Sequence, residues 1–376
     1  SFKVDWYLVS SQLYFTINLE EIFYFNNKKY RIYAVFGVSQ TPMQIIEIRR
    51  IEMLLLNKKD IEKSVDLDGM MDQIEEAYKI FESGAYYMPP RPTVEHDNKT
   101  LIYMPCYTKD SLGTKMLTIF PENAGLGLPS IDGLVLMNDP KTGKPLAILD
   151  GQTVTAYRTG AVGGVGIRHL SRKDCHTVGI VGAGVQGFHL ALYACKAREI
   201  HTVYVFNHSG RDLTDYLARL EKAIDNPGTK VVQCNTVEEL VRSSEIICTA
   251  TPSEKAVLPN DKELLSGKCI IAIGSYTPTM REIPDAVFEL VDDVYVELEY
   301  ACEESGDLSQ PLADGILTKD RVRYMHELID SDIDEDALTQ KTTYFKSVGM
   351  GLFDVCIAQR LMDDANQKGI GQQIEF

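Results

Sequence analysis

The run Gly182-Ala183-Gly184-Val185-Gln186-Gly187 constrains this chain most, because it joins two stretches of opposite character. Ahead of it, Thr177-Val178-Gly179-Ile180-Val181 is a short β-branched run that predicts a buried strand. Behind it, residues 185–197 predict a helix, and Thr202 to Phe206 predicts a second strand. A strand, a G-x-G-x-x-G turn, a helix and another strand make the βαβ grammar of a dinucleotide-binding unit. Each glycine meets a separate steric demand: Gly182 the tight turn, Gly184 the approach of a pyrophosphate, Gly187 close packing of helix on strand. The start of the helix offers unpaired N–H groups and the positive end of its dipole to the phosphates, through Val185, Gln186 and Gly187. The expected fold is α/β, with a Rossmann-type doubly wound sheet over residues 172–325.

A fold specific for NAD places an acidic residue about 20 positions beyond the glycines to hold the ribose hydroxyls. Here that stretch reads Asn207-His208-Ser209-Gly210-Arg211, with no carboxylate until Asp212. Asn207, His208, Ser209 and Arg211 suit a 2′-phosphate, so NADP(H) is favoured, with NAD(H) the alternative. Two further apolar runs, ending at Thr249-Ala250-Thr251 and at Gly274-Ser275, predict strands whose carboxyl ends face the ligand. Thr249, Thr251 and Ser275 are therefore expected at the cofactor.

The rest of the chain needs a second domain. At 376 residues it exceeds one ordinary core. Residues 1–52 alternate aromatic and polar side chains and predict strands or an added hairpin. Arg49-Arg50-Ile51-Glu52-Met53 can be encoded by a purine-rich ribosome-binding sequence followed by a start codon, so Met53 is a candidate initiator and 1–52 an over-extended reading frame. A genuine N-terminal extension is the alternative. Residues 87–149 are strand-rich, and a Gly- and Ala-rich helix is expected from about Thr153 through Arg168. A formal charge of −16 opposes nucleic acid and anionic membranes, both of which require a cationic face. No apolar run reaches membrane-spanning length. The eight cysteines form no C-x-x-C pair and read as buried thiols of a cytoplasmic protein. The seven histidines show no ligand spacing, and no metal site is expected.

Taken in order, several stretches resemble the ornithine cyclodeaminase and mu-crystallin family from Met53 to Phe376. They are Met88-Pro89-Pro90-Arg91, Gly113-Thr114-Lys115, Gly127-Leu128-Pro129-Ser130, Asn138-Asp139-Pro140 and Thr155-Ala156-Tyr157-Arg158-Thr159-Gly160-Ala161. The glycine turn, Thr249-Ala250-Thr251, Glu304-Ser305-Gly306-Asp307 and Phe345-Lys346-Ser347-Val348-Gly349 complete the set. The resemblance implies a homodimer with a discontinuous α+β substrate-binding and dimerisation domain, formed by 53–171 and a returning segment, 326–376. It also implies that Arg91, Lys115 and Arg158 hold the substrate carboxylate and polarise the reacting carbon–nitrogen centre, and that Ser130, Thr159, Ser347 and Gly349 touch the cofactor. Guanidinium groups suit carboxylates, and a lysine beside them has its pKa lowered. For Glu304 to Asp307 a loop-ordering role is at least as good a reading as chemistry.

One departure bears on the reaction. Ornithine cyclodeaminases carry an acid–base Asp where this chain has Tyr276, and a lysine where Met280 stands. A phenol, with an ordinary pKa near 10, is a poor base at neutral pH. The resemblance therefore points away from deamination and toward reduction of a small α-imino acid, with a cyclic ketimine such as a pyrroline or piperideine carboxylate among the candidates and Tyr276 lining the pocket or donating a hydrogen bond. Ornithine cyclodeamination, amino-acid dehydrogenation and non-catalytic NADPH binding are the alternatives.

Overall fold

The computed structural model describes residues 3–9, 12–25, 28–37, 45–46, 52–329 and 335–375, with side chains from residue 53 apart from 124, 335 and 338. Two compact units emerge, Ser1–Met53 with Gln373–Phe376, and Leu54–Gln372. In the first, strands Lys3–Val9, Gln12–Phe25, Lys28–Gly37 and Ile45–Ile46 form an antiparallel meander. The aromatic and polar alternation of this segment suits strands of this kind.

The larger unit contains two sheets. In the first, neighbouring strands are Glu52–Leu56, Pro145–Asp150, Ile131–Asn138, Leu112–Ile119, Lys99–Thr108 and Tyr86–Tyr87. The first pair is parallel and the others antiparallel. Register aligns Met104, Lys115 and Val135 across three strands, so these side chains share one face. Helix Gly351–Lys368 packs on those three strands and on helix Leu67–Ser83, burying Leu352, Phe353, Val355 and Ile357. Phe353 meets Tyr78 edge to face at 5.0 Å.

The second sheet is parallel throughout. Its order is Lys230–Gln233, Thr202–Phe206, Thr177–Val181, Ile246–Thr249, Cys269–Ala272, Thr343–Lys346, Val294–Val296 and Val322–Tyr324. Reversal of strand order beside Thr177–Val181 gives the doubly wound arrangement expected from the glycine turn. The segment 326–376, expected as a plain return to the substrate half, first inserts Thr343–Lys346 into this sheet and only then forms the helix Gly351–Lys368. Its β-branched and aromatic run Thr343-Tyr344-Phe345 is buried on both faces, as an interior parallel strand requires.

Helix Gly151–Leu170 lies between the sheets. It packs on helices Leu67–Ser83 and Val185–Ala197 and on strands of both sheets. Its Gly- and Ala-rich sequence fits this setting, because neighbouring elements come too close for larger side chains: an added Cβ at Gly166 would meet the Phe345 ring at 2.7 Å. Replacing Phe353 by alanine should cost about 3–5 kcal/mol through the cavity left against Tyr78. The check is a lowered urea midpoint at unchanged slope.

Candidate active site

Between the carboxyl edge of the parallel sheet and the strands around Lys115 lies a cavity of about 480 Å³. Arg91, Lys115, Arg158, Thr159, Val185, Gln186, Thr251, Tyr276, Glu304 and Ser347 are in its wall, with an apolar side of Ile102, Met104, Leu117, Ile119 and Ile131. Residues separated by more than 200 positions thus converge on one space.

Lys115 is only 2% exposed. Its Nζ donates to Asp354 Oδ1 at 2.8 Å, and Arg158 Nε donates to the same oxygen at 3.0 Å. Burial pushes the Lys115 ammonium down to a pKa of about 8; Arg158 and Arg91 push the same way, and Asp354 opposes them. Burial alone would raise the Asp354 carboxyl, but Lys115 and Arg158 outweigh it and hold it below the usual range. Asp354 stands in the first turn of Gly351–Lys368, where the helix dipole also favours an anion.

Arg91 Nη1 donates to Glu304 Oε1 at 2.8 Å, and Nη2 donates to the Gly349 carbonyl. Burial raises the Glu304 carboxyl against the pull of Arg91. Three cations and two carboxylates, Asp354 and Glu304, therefore leave one positive charge in excess. The turn Ser347-Val348-Gly349 is fixed by Glu297, whose Oε1 accepts from Ser347 Oγ at 3.0 Å, from Val348 N at 2.7 Å and from Gly349 N. Gly349 has φ +76, and a Cβ there would run into the Arg158 guanidinium.

The glycine turn has the geometry a dinucleotide needs. Gly182 has φ +108, and a Cβ on it would lie 2.6 Å from the Ala250 carbonyl; one on Gly187 would collide with the Gly182 carbonyl. A Cβ on Gly184 meets nothing within 4 Å, so the space above it is clear for a phosphate. Asn207 Oδ1 accepts from Ala183 N at 3.1 Å, and Arg211 Nη2 donates to the Ala183 carbonyl. Asn207 Nδ2 reaches Ser209 Oγ at 2.5 Å, and His208 lies edge-on to Phe206. The polar loop beyond the second strand is therefore tied directly to the phosphate turn. These residues fit a nicotinamide dinucleotide along the carboxyl edge.

Other expected residues sit elsewhere. Thr249 and Ser275 are fully buried and outside the cavity wall. Ser275 Oγ donates to the Met280 carbonyl at 2.7 Å and lies 2.7 Å from Ser305 Oγ, so it clamps the Tyr276 loop to the Glu304 helix rather than facing the cofactor. Ser130 is also outside the wall; its carbonyl accepts from Phe120 N at 2.7 Å. Thr251 lines the cavity, but its N and Oγ1 both donate to Glu282 Oε1, at 2.7 and 2.8 Å.

Sequence reading missed Asp354, Glu297 and Glu282. Each is a carboxylate inside an otherwise apolar or structural run, Leu352-Phe353-Asp354-Val355-Cys356 being the plainest, and that incongruity was the available signal. Among the described residues one further group brings metal-type donors together: His176, Glu199 and His201, within 4.8 Å of one another. Parallel pairing of Thr177 with Thr202 sets the histidines side by side at the opposite, amino edge of the sheet, which linear spacing cannot reveal. Their rings stack within 1° of parallel, so the in-plane lone pairs do not converge on one ion.

Fold and site define a Rossmann-type dinucleotide-binding protein with a cationic cavity at the mouth of its cofactor cleft. The chain belongs to the ornithine cyclodeaminase/mu-crystallin family, whose profile matches residues 51–369. It is 29% identical over 330 residues to a Delta(1)-pyrroline-2-carboxylate reductase of Bacillus cereus, covering 86% of this chain and 100% of that one. The structure of Thermococcus litoralis Delta(1)-pyrroline-2-carboxylate reductase in complex with NADH and L-proline matches with a TM-score of 0.79 at 28% identity, covering 86% and 100% of the two chains. An archaeal alanine dehydrogenase dimer with bound NAD matches at 0.76 and 26% identity, covering 86% and 99%.

Gly187→Ala should weaken cofactor binding by about tenfold or more, because the added methyl drives the helix away from the turn. Titration of NADPH fluorescence measures it.

Proposed function

We propose that this protein is an NAD(P)H-dependent reductase that converts a small, cyclic α-imino acid, such as pyrroline-2-carboxylate or piperideine-2-carboxylate, into the amino acid. The observation that carries this reading is the buried Lys115 ammonium, held beside two arginines in the wall that faces the glycine turn. The nicotinamide, when bound, supplies a hydride to the imine carbon. Arg158 takes the substrate carboxylate, and Arg91 joins it by exchanging Glu304 for the substrate. Lys115 gives a proton to the imine nitrogen, so that hydride and proton together complete the amine. Tyr276, 40% exposed, closes the pocket as a hydrogen-bond donor. The phenol at this position weighs against ornithine deamination, which needs a base there.

Asn207, Ser209 and Arg211 support NADPH over NADH, because an exposed guanidinium beside the ribose end suits a 2′-phosphate. Eight unpaired cysteines suit a cytoplasmic setting, and the archaeal dimer supports a homodimer. The domain partition that fits best takes 53–171 with the helix Gly351–Lys368 as the substrate half, and 172–325 with Thr343–Lys346 as the dinucleotide half.

Four outcomes are expected. NADPH should be oxidised on addition of pyrroline-2-carboxylate, and proline with ammonia should not form from ornithine; the reverse pattern would establish the lyase. Lys115→Met should lower kcat/KM by about 10²–10⁴-fold while leaving cofactor affinity in place. In reduction the ammonium is the active form, present below its pKa, so kcat/KM should fall as pH rises through about 8. Arg211→Ala should raise the KM for NADPH by about tenfold and spare that for NADH.

A further inference from the structure

Asp354 is fully buried and lies behind the cavity wall rather than in it. The two cations at the inner end of the cavity nevertheless both end on it. They share a single oxygen, Oδ1, while Oδ2 makes no hydrogen bond among the described residues. A lysine head on a four-carbon stem has no fixed direction of its own, and it carries three donors. With one donor committed to Oδ1, the other two have no acceptor among the described residues and are open to the cavity. Arg158 likewise commits Nε and leaves the Nη1/Nη2 fork, the part that matches a carboxylate, uncommitted to Asp354.

We propose, on the reading that Lys115 is the proton donor, that Asp354 is the positioning residue of the reaction: it keeps the Lys115 ammonium charged and aligns it with the Arg158 fork on one substrate. A carboxylate bound to Arg158 and an imine nitrogen facing Lys115 are adjacent groups of the same small molecule. Convergence of both cations on one oxygen sets the matching separation of the heads. Spreading them over both carboxylate oxygens would part them.

Among the described residues the charged groups that act on Asp354 are few. Lys115 comes from strand Leu112–Ile119, Arg158 from helix Gly151–Leu170, and Arg91 adds a more distant positive charge. Strand Lys99–Thr108 contributes the Cys106 thiol, which burial pushes up to about 12 and keeps neutral. Helix Gly351–Lys368 also packs on strand Ile131–Asn138, whose buried Val135 and Met137 carry no charge, and on helix Leu67–Ser83, whose buried Tyr78 phenol is held neutral by burial. Removal of the carboxylate therefore takes from Lys115 its own anionic partner and leaves the like charges of Arg158 and Arg91, while Glu304, in the same wall, stays paired with Arg91. The shift must be downward, since loss of an anion disfavours the ammonium.

The test uses the full-length enzyme with Asp354→Asn, which keeps the shape, and with Asp354→Glu as the conservative control. The Lys115 side chain is titrated directly by the carbon-13 resonance of its ε-methylene, assigned by its loss in Lys115→Arg. The wild-type midpoint should fall near 8 and that of Asp354→Asn at least about one unit lower. In rate measurements on pyrroline-2-carboxylate, the high-pH limb of kcat/KM should move down by the same interval. The defect should shrink toward low pH, Asp354→Glu should restore much of the profile, and Asp354→Asn should add little to Lys115→Met. An unmoved resonance midpoint in folded Asp354→Asn, or a loss independent of pH and additive with Lys115→Met, overturns the proposal. Absence of turnover by the wild type with any imino acid would instead overturn the functional reading, and the resonance midpoints would still decide the role of Asp354.

Discussion

A lysine and an arginine share a buried wall here with one anion between them, and the arrangement of this molecule follows from where that anion comes from. Asp354 is carried by the helix Gly351–Lys368, more than 230 residues after Lys115 in sequence. The first sheet therefore depends on the end of the chain for the charge that makes its own lysine tolerable. Unpaired, such cations would face a desolvation penalty of several kcal/mol each. Glu304 plays the corresponding part for Arg91 from the dinucleotide side. The net result is a cavity one negative charge short of neutrality.

Buried carboxylates also shape the cofactor side. Glu297 gathers the donors of the turn after Lys346, and Glu282 gathers Thr251 and Gly274 at two neighbouring strand ends. Glu282 N and Ile283 N in turn donate to Asp307 Oδ1 at 2.6 and 3.0 Å, and Asp307 Oδ2 lies 3.1 Å from Lys346 Nζ. Loop ends that have no ladder partners of their own are thus held by acceptors brought from elsewhere in the chain. Rigidity at the carboxyl edge comes from this network, whereas rigidity at the glycine turn comes from steric fit.

The glycine turn, the strands beside it and the basic trio were legible because each has a local or motif-level signature. Gly182 and Gly187 are demanded by contacts within a few residues or one strand away. Lys115, Arg91 and Arg158 were legible only through resemblance, since three separated basic residues in a chain of charge −16 carry no pattern of their own. Ser275 misled because a polar residue at a strand's carboxyl end reads the same whether it faces a ligand or fastens a loop. Asp354 and Glu297 escaped because their meaning depends on partners brought close by tertiary folding, and no periodicity encodes such a pairing. The strand Thr343–Lys346 escaped for a similar reason: nothing in its composition says between which neighbours it will pair.

That strand has a consequence for how the chain comes together. Among the described residues, Val294–Val296 and Val322–Tyr324 reach the rest of the parallel sheet only through Thr343–Lys346, which pairs with Cys269–Ala272 on its other side. During synthesis, both earlier strands emerge from the ribosome before the one that anchors them. The nucleotide half waits with an open edge until residue 346 has emerged, an interval in which an exposed apolar edge can pair wrongly. Vectorial growth and sheet order run against each other here, and the demand falls on the cell's folding machinery rather than on the finished enzyme.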